Sequence, residues 1–381
     1  MLRPPLRVVI APDSFKGSVS AAHAAAAIAE GLRRVWSDAD LRLVPLADGG
    51  EGTLDAVLSA GGQRLIARVS GAAGDGVDAA YGVIAPDAGM IEVAQVAGLT
   101  DASAVARAVE LRSTRGLGEL MRRLLDSGIR RVMVGLGGSS TNDGGAGLLV
   151  GLGLKLFDAD GRDVEPTPEG LEALARVDAS GLDPRLASTR ITIMSDVNNP
   201  LCGERGATAI FGPQKGVRPE SVAEIDARLA RFAALAEKAV GRSAKDVPGA
   251  GAAGGLGFAL LLLGGELRSG AEVVADLLGL DTALEGADWL ITGEGRTDRQ
   301  TLLGKTPFVA ARRAAAKGVP ATLISGGVDR AALPELGRYF AGCHSITFGP
   351  ATLEDSVADA AALLADRAEQ LGRLFEAARR D

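Results

Sequence analysis

The chain has 381 residues, enough for two domains of about 100–200 residues each or for one large α/β body carrying an insertion. Glycine accounts for 52 of them, yet there is no G-X-Y period, only 16 prolines and 47% hydrophobic residues, so collagen and disorder are excluded and the glycine belongs in ordered loops. Lys plus Arg number 41 against 48 Asp plus Glu, a net charge of -7, which gives no cationic footprint for nucleic acid or an anionic membrane.

Short β-branched runs alternate with Ala/Leu/Arg helical patterns, which predicts a two-domain α/β protein with mainly parallel strands. A strand over Leu6–Ala11 leads to a helix over Ala21–Trp36 and a strand over Leu41–Leu46. A helix over Leu117–Ser127 precedes strands over Arg131–Leu136 and Ile191–Met194, followed by helices over Ala223–Val240 and Gly255–Leu263. The last hundred residues read as strand Trp289–Thr292, helix Pro307–Lys317, strands Ala321–Ser325 and His344–Thr347, and helix Ser356–Ala378. No fixed-period repeat is present, which excludes a solenoid. Both ends are simple β-α units and the glycine-dense loops lie in the middle. The expectation is a discontinuous Rossmann-like or flavodoxin-like domain, 1-85 plus 286-381, with a second α/β domain, 86-285, inserted.

Two cysteines, Cys202 and Cys343, form no disulfide framework or CxxC knuckle, and two histidines, His23 and His344, argue against a His-centred triad or multi-His metal site. The apolar stretch before Asp13 is too short for a signal peptide, and the densest apolar run, Phe258 to Leu263, falls far short of the ~20 residues that span a bilayer. A soluble, cytoplasmic protein is expected, with no nucleic-acid or membrane partner and with homo-oligomerisation left open.

Polar clusters recur after predicted strands: Asp13-Ser14-Phe15-Lys16-Gly17-Ser18, then Asp48-Gly49-Gly50-Glu51-Gly52-Thr53, then Glu294-Gly295-Arg296-Thr297-Asp298-Arg299-Gln300. In a parallel sheet all three gather outside the carboxyl edge, where open α/β sheets bind ligands; singly, each is also an ordinary βα turn or helix cap. Lys16 suits the carboxylate of a small hydroxy acid and Asp13 its hydroxyl, with Ser14, Asp48 and Glu51 as further substrate-binding candidates. Glu294, Asp298 and Gln300 add acceptors for a sugar-like hydroxyl or Mg²⁺ waters.

The run Gly137-Gly138-Ser139-Ser140-Thr141-Asn142-Asp143 follows a strand and opens a small-residue helix. Its backbone N–H groups and hydroxyls suit an anion such as phosphate or carboxylate. Asp196, at the end of another strand, is a candidate Mg²⁺ ligand or proton acceptor, in competition with an Asx-turn into Pro200. Lys215, in a Gly/Pro loop, is a candidate charge clamp on phosphate. Gly249-Ala250-Gly251-Ala252-Ala253-Gly254 fits GxGxxG but follows a charged helix and a polar turn, not a strand, so a dinucleotide site is disfavoured. Gly304-Lys305-Thr306 lacks the earlier glycine of a P-loop, leaving phosphate contact by Lys305 open. Anion cradles, acids and lysines without a histidine base suit phosphoryl transfer, which asks mainly for positioning and charge neutralisation.

The blocks APDSFKGSVSA, PLADGGEGT, GLGGSSTNDGGAG, SDVNNPLCGERGAT, IFGPQKG, GAGAAGGLG and LITGEGRTDRQTLLGKTP, in this order, closely resemble the bacterial glycerate kinase family. The resemblance implies ATP- and Mg²⁺-dependent phosphorylation of D-glycerate, at the 2-hydroxyl to give 2-phosphoglycerate, with 3-phosphorylation or a related hydroxy acid as the alternative. It also implies an active site in a cleft between two α/β domains. Ser195, Ser140 and Thr297 depart from the family pattern without removing an acid or lysine. On this reading glycerate lies by the first two clusters with Lys16 on its carboxylate, ATP phosphates meet the Gly137–Asp143 loop, Lys215 neutralises the transferring group, and Asp196 serves the hydroxyl or Mg²⁺. A nucleotide-dependent oxidoreductase and a non-enzymatic acid sensor are the rivals.

Overall fold

The computed structural model describes residues 5–379. Its strands are β1 (Arg7–Ile10), β2 (Asp40–Leu43), β3 (Gln63–Ser70), β4 (Gly76–Ala85), β5 (Ala88–Glu92), β6 (Arg131–Gly135), β7 (Lys155–Phe157), β8 (Arg176–Asp178), β9 (Arg190–Met194), β10 (Glu266–Arg268), β11 (Trp289–Thr297), β12 (Ala321–Val328) and β13 (Gly342–Ser345). The chain divides into a first unit, Met1–Asp48, Asp55–Ala60 and Ala271–Asp381, and a second, Gly49–Leu54 and Gly61–Gly270.

In the first unit five strands form one sheet in the order β13-β12-β11-β1-β2, and every pair is parallel. Counted along this sheet's own strands the order is 2-1-3-4-5, the flavodoxin-like arrangement, with its switch point between β1 and β11. β1 is buried at Val8, Val9 and Ile10, as a strand covered on both faces must be. Ser20 caps the helix Ala21–Arg33 by accepting from the His23 amide. The long C-terminal helix, Ala360–Ala378, packs on that helix so closely that a Cβ on Gly31 would lie 1.9 Å from the Ala365 carbonyl oxygen. Trp289 stacks on Phe375 at 4.5 Å between ring centroids. The helix expected over Ser356–Ala378 starts earlier, where Thr352 accepts from the Asp355 amide, and divides at Asp359 into Leu353–Ala358 and Ala360–Ala378.

The second unit is built on a six-stranded sheet, β10-β9-β6-β5-β4-β3, parallel from β10 to β5 and antiparallel across β5-β4-β3. Its core includes Leu120, Val134, Leu149, Phe232 and Phe258. Here the expected boundary near residue 85 moves. β3 and β4 pair with each other from Gln63 to Val83, and β4 pairs with β5, so the whole hairpin belongs to this sheet and not to the first. The later boundary likewise moves from 286 to 271, since the helix Gly270–Leu277 falls almost wholly in the first unit. Among the described residues no helix is long and apolar enough to cross a membrane.

Candidate functional site

Backbone pairing in the first unit continues past the strand ends: the Ala11 amide donates to the Ile291 carbonyl, Asp13 to Gly293 and Leu46 to Pro12, each at 2.8 Å. Phe15, buried, folds the next turn back through paired bonds with Val19. These contacts carry Asp13, Asp48 and Glu294 to one edge of the sheet, as the three polar clusters predict. There they line a cavity of about 760 Å³ together with Ser14, Lys16 and Lys305. Burial, and then the nearby Asp48 carboxylate, push the Asp13 carboxyl up to about 7. Glu294 is buried; its Oε1 accepts from the hydroxyls of Thr297 (3.0 Å) and Thr301 (2.6 Å), and Lys305 Nζ lies 3.5 Å from Oε2. Burial raises the Glu294 pKa despite these donors. Lys16 is exposed at the cavity wall.

Three expected substrate residues lie elsewhere. Asp298 caps a 3-10 turn, Arg299–Leu303, by accepting from the Gln300 amide at 2.8 Å, so its carboxylate is engaged in the fold. Gln300 is exposed and does not line the cavity. Glu51 belongs to the second unit, exposed, with Oε2 3.5 Å from the Thr100 hydroxyl.

In the second unit, β6 runs into the Gly137–Asp143 loop, whose Ser139 to Asp143 are all buried. Gly137 is required by close approach: its Cβ would meet the Gly50 Cα at 2.4 Å, and its amide donates to the Gly49 carbonyl. Lys215 is buried beside the loop, with Nζ donating to Ser139 Oγ at 2.9 Å and to the Thr141 carbonyl at 2.7 Å. Burial lowers its pKa to about 7; Asp143 opposes that shift and Arg112 adds to it. Ser140 Oγ, Thr141 Oγ1 and Asn142 Oδ1 are buried without a hydrogen-bond partner. Leaving such groups unsatisfied costs about 1–3 kcal/mol each, and three in one run beside a buried lysine fit a loop completed by a polar guest. Asp143 is not available to that guest. Its Oδ2 accepts from the Thr114 amide and hydroxyl, both at 2.8 Å, and from the Gly147 amide at 3.1 Å, while Oδ1 accepts from Gly145. It ties the starts of two helices together, and its expected ligand role becomes a structural one.

The GAGAAG segment backs this loop. Gly254, at φ +69°, lies so close that a Cβ would sit 2.0 Å from the Thr141 carbonyl oxygen, and its own carbonyl accepts from Gly144 at 2.9 Å. No strand precedes it, so its glycines serve backbone packing and the dinucleotide reading falls. Asp196 stands exposed after β9. Burial pushes the Cys202 thiol up to about 12, which leaves no thiolate for nucleophilic work.

Sequence reasoning passed over Arg112 and Glu92. The buried Arg112 guanidinium donates to the carbonyls of Arg107 (2.9 Å), Ser140 (2.9 Å), Lys215 (3.1 Å) and Val105 (3.3 Å), which joins the Gly137–Asp143 loop to the end of the helix Ala207–Lys215. Glu92, buried at the end of β5, accepts from the amides of Gly52 and Leu54 and so shapes the second glycine cluster. Neither stands in a local motif; a charged residue at a buried strand end was the only available signal for Glu92.

A family model described as the glycerate kinase family matches residues 8–376. A glycerate kinase of Bacillus subtilis (strain 168) is 42% identical over 359 residues, covering 93% of this chain and 94% of that protein. A glycerate 2-kinase of Escherichia coli (strain K12) is 43% identical over 326 residues, covering 85% and 86%. The crystal structure of a Salmonella typhimurium LT2 protein described as glycerate kinase 2 superposes with a TM-score of 0.88 at 40% identity, covering 99% of this chain and 100% of that one.

Proposed function

The chain belongs to the glycerate kinase family, and on that premise we propose that it transfers the terminal phosphoryl group of ATP to the 2-hydroxyl of D-glycerate, giving 2-phosphoglycerate and ADP. The observation that carries this reading is the first unit's cavity, where a carboxyl raised to about 7 stands with two lysines. A general base is most effective with a pKa near the working pH, so Asp13 is assigned the hydroxyl proton in preference to Asp196. Lys16, three residues on, holds the substrate carboxylate. The 2-hydroxyl sits on the carbon bearing that carboxylate, and a clamp and a base this close in the chain suit it better than the 3-hydroxyl. Lys305, oriented by Glu294, supplies further positive charge.

The loop Gly137–Asn142 takes ATP phosphate through its backbone, the hydroxyls of Ser140 and Thr141 and the Lys215 ammonium. Phosphoryl transfer has a loose transition state, and these groups neutralise the charge on its oxygens. For Mg²⁺ the donor set fits an ion that arrives with the nucleotide: among the described residues no group of three or more His, Cys, Asp or Glu could hold a metal, and Mg²⁺ commonly takes one or two carboxylates, waters and phosphate oxygens. Asp196, with Asn198 and Asn199 in the same loop, is assigned to it; when bound, the ion offsets phosphate charge.

Purified protein incubated with ATP and D-glycerate, followed by phosphorus NMR, should show ADP and 2-phosphoglycerate. A 3-phosphoglycerate product would overturn the regiochemistry, and no glycerate-dependent ADP would overturn the activity.

A further inference from the structure

We propose that the end of the first unit's cavity lined by the end of β12 and the segment after β13 seats the nucleoside of ATP. This rests on the kinase reading above. A cavity of about 760 Å³ lies in the range of about 300–1,000 Å³ that holds drug-sized ligands; a three-carbon acid held at Asp13 and Lys16 leaves most of it over. The lining changes character along the sheet. Acids and lysines come from the segments after β1 and β2, from β11 and from the turn after it, whereas the end of β12 and the segment after β13 supply Val328, Ile346, Ala351, Leu353, Val357 and Ala360, with Asp329, Thr352 and Ser356 as the polar groups among them. Glycerate has no apolar group to place against that wall, and a nucleoside has a broad one.

Two details of β12 fit a flat base. Its pairing with β13 ends at Ser325, with Ser345 Oγ donating to the Gly326 carbonyl at 2.9 Å, while its pairing with β11 runs on to Val328, so the edge of Gly327–Val328 away from β11 has no strand beside it and is open to a ligand. Gly327 also has no structural need to be glycine: its φ is outside the left-handed region and a Cβ would meet nothing within 4 Å. What glycine preserves there is open space over the backbone, as close approach of a ligand requires. The position agrees with the general placement of ligands outside the carboxyl ends of strands in open α/β sheets.

Gly327→Ala and Gly327→Val fill this space in two steps without strain, so both should keep the wild-type thermal midpoint. Calorimetric titration with ADP needs no turnover. We expect Gly327→Val to weaken ADP at least tenfold and Gly327→Ala less, with tripolyphosphate affinity unchanged within twofold. In steady state KM for ATP should rise at least tenfold and KM for glycerate stay within twofold. Unchanged ADP affinity in both variants, or a rise in glycerate KM alone, would overturn the nucleoside seat and give this space to the acid. If the wild type makes no phosphoglycerate yet loses ADP binding in Gly327→Val, the kinase reading fails and the seat stands.

Discussion

Asp13 is held at a cost in stability. Its carboxyl keeps a proton up to about pH 7 in the folded chain and to about 4 in an unfolded one. Between those values the folded state binds the extra proton, so stability falls as pH rises, and above about 7 the whole penalty is present. Asp13→Asn should therefore raise the thermal midpoint at pH 8 and change it little at pH 4, with a gain of about 1–4 kcal/mol at the higher pH, whose upper limit is the shift at ~1.4 kcal/mol per pK unit. The same variant should lose roughly 10²–10⁴ in kcat if Asp13 takes the proton; near-wild-type turnover would end that role. Lys16→Ala should instead raise glycerate KM about tenfold or more with kcat largely kept, as loss of uniform binding does. The pH profile follows from two groups. Asp13 must be ionised and Lys215 protonated, and both titrate near 7, so kcat/KM should show a narrow maximum there. Saturating ATP should move the alkaline limb of kcat upward, because bound phosphate favours the ammonium. An alkaline limb above about pH 9 for the free enzyme would remove Lys215 from it.

At the scale of elements, the anion loop depends on the segment packed behind it. Gly254→Ala places a methyl against the Thr141 carbonyl at a backbone conformation side chains rarely adopt, and that carbonyl receives the Lys215 ammonium. Expected is a loss of about 1–3 kcal/mol in stability and a rise in ATP KM with glycerate KM unchanged; equal rises in both would show that the loop does not serve ATP selectively. The strands of the first sheet and the gathering of Asp13, Asp48 and Glu294 were legible because β-branched runs ending in polar glycine clusters report parallel strand ends directly. The β3–β4 hairpin was not: β3 is largely exposed and carries Arg64 and Arg68, so it shows no apolar run. Asp143 was misread for a different reason. Its residue type suits a ligand, but Thr114, which engages it, is 29 residues away, and no local spacing carries that information. Asp298 satisfied the sequence pattern of a helix cap as well as that of a binding acid, and the cap is what formed.

At the scale of the whole molecule, the core around Phe232 and the core around Ile28 share no residue, although the chain passes from one unit to the other at residues 48/49, 54/55, 60/61 and 270/271. Both tryptophans, Trp36 and Trp289, lie in the first unit, so tryptophan emission reports that unit alone while far-UV circular dichroism reports both. Phe232 is fully buried, meets Phe258 edge to face at 6.0 Å and sits under Gly144, just beyond the anion loop. Its truncation to Ala should cost about 3–5 kcal/mol by transfer and cavity terms. If each core carries its own cooperativity, Phe232→Ala should lower the denaturant midpoint seen by circular dichroism and leave the tryptophan midpoint near its wild-type value. Separate transitions by two probes are the mark of departure from two-state unfolding. Should both midpoints fall together by the same amount, the four chain crossings couple the cores into one unit of unfolding.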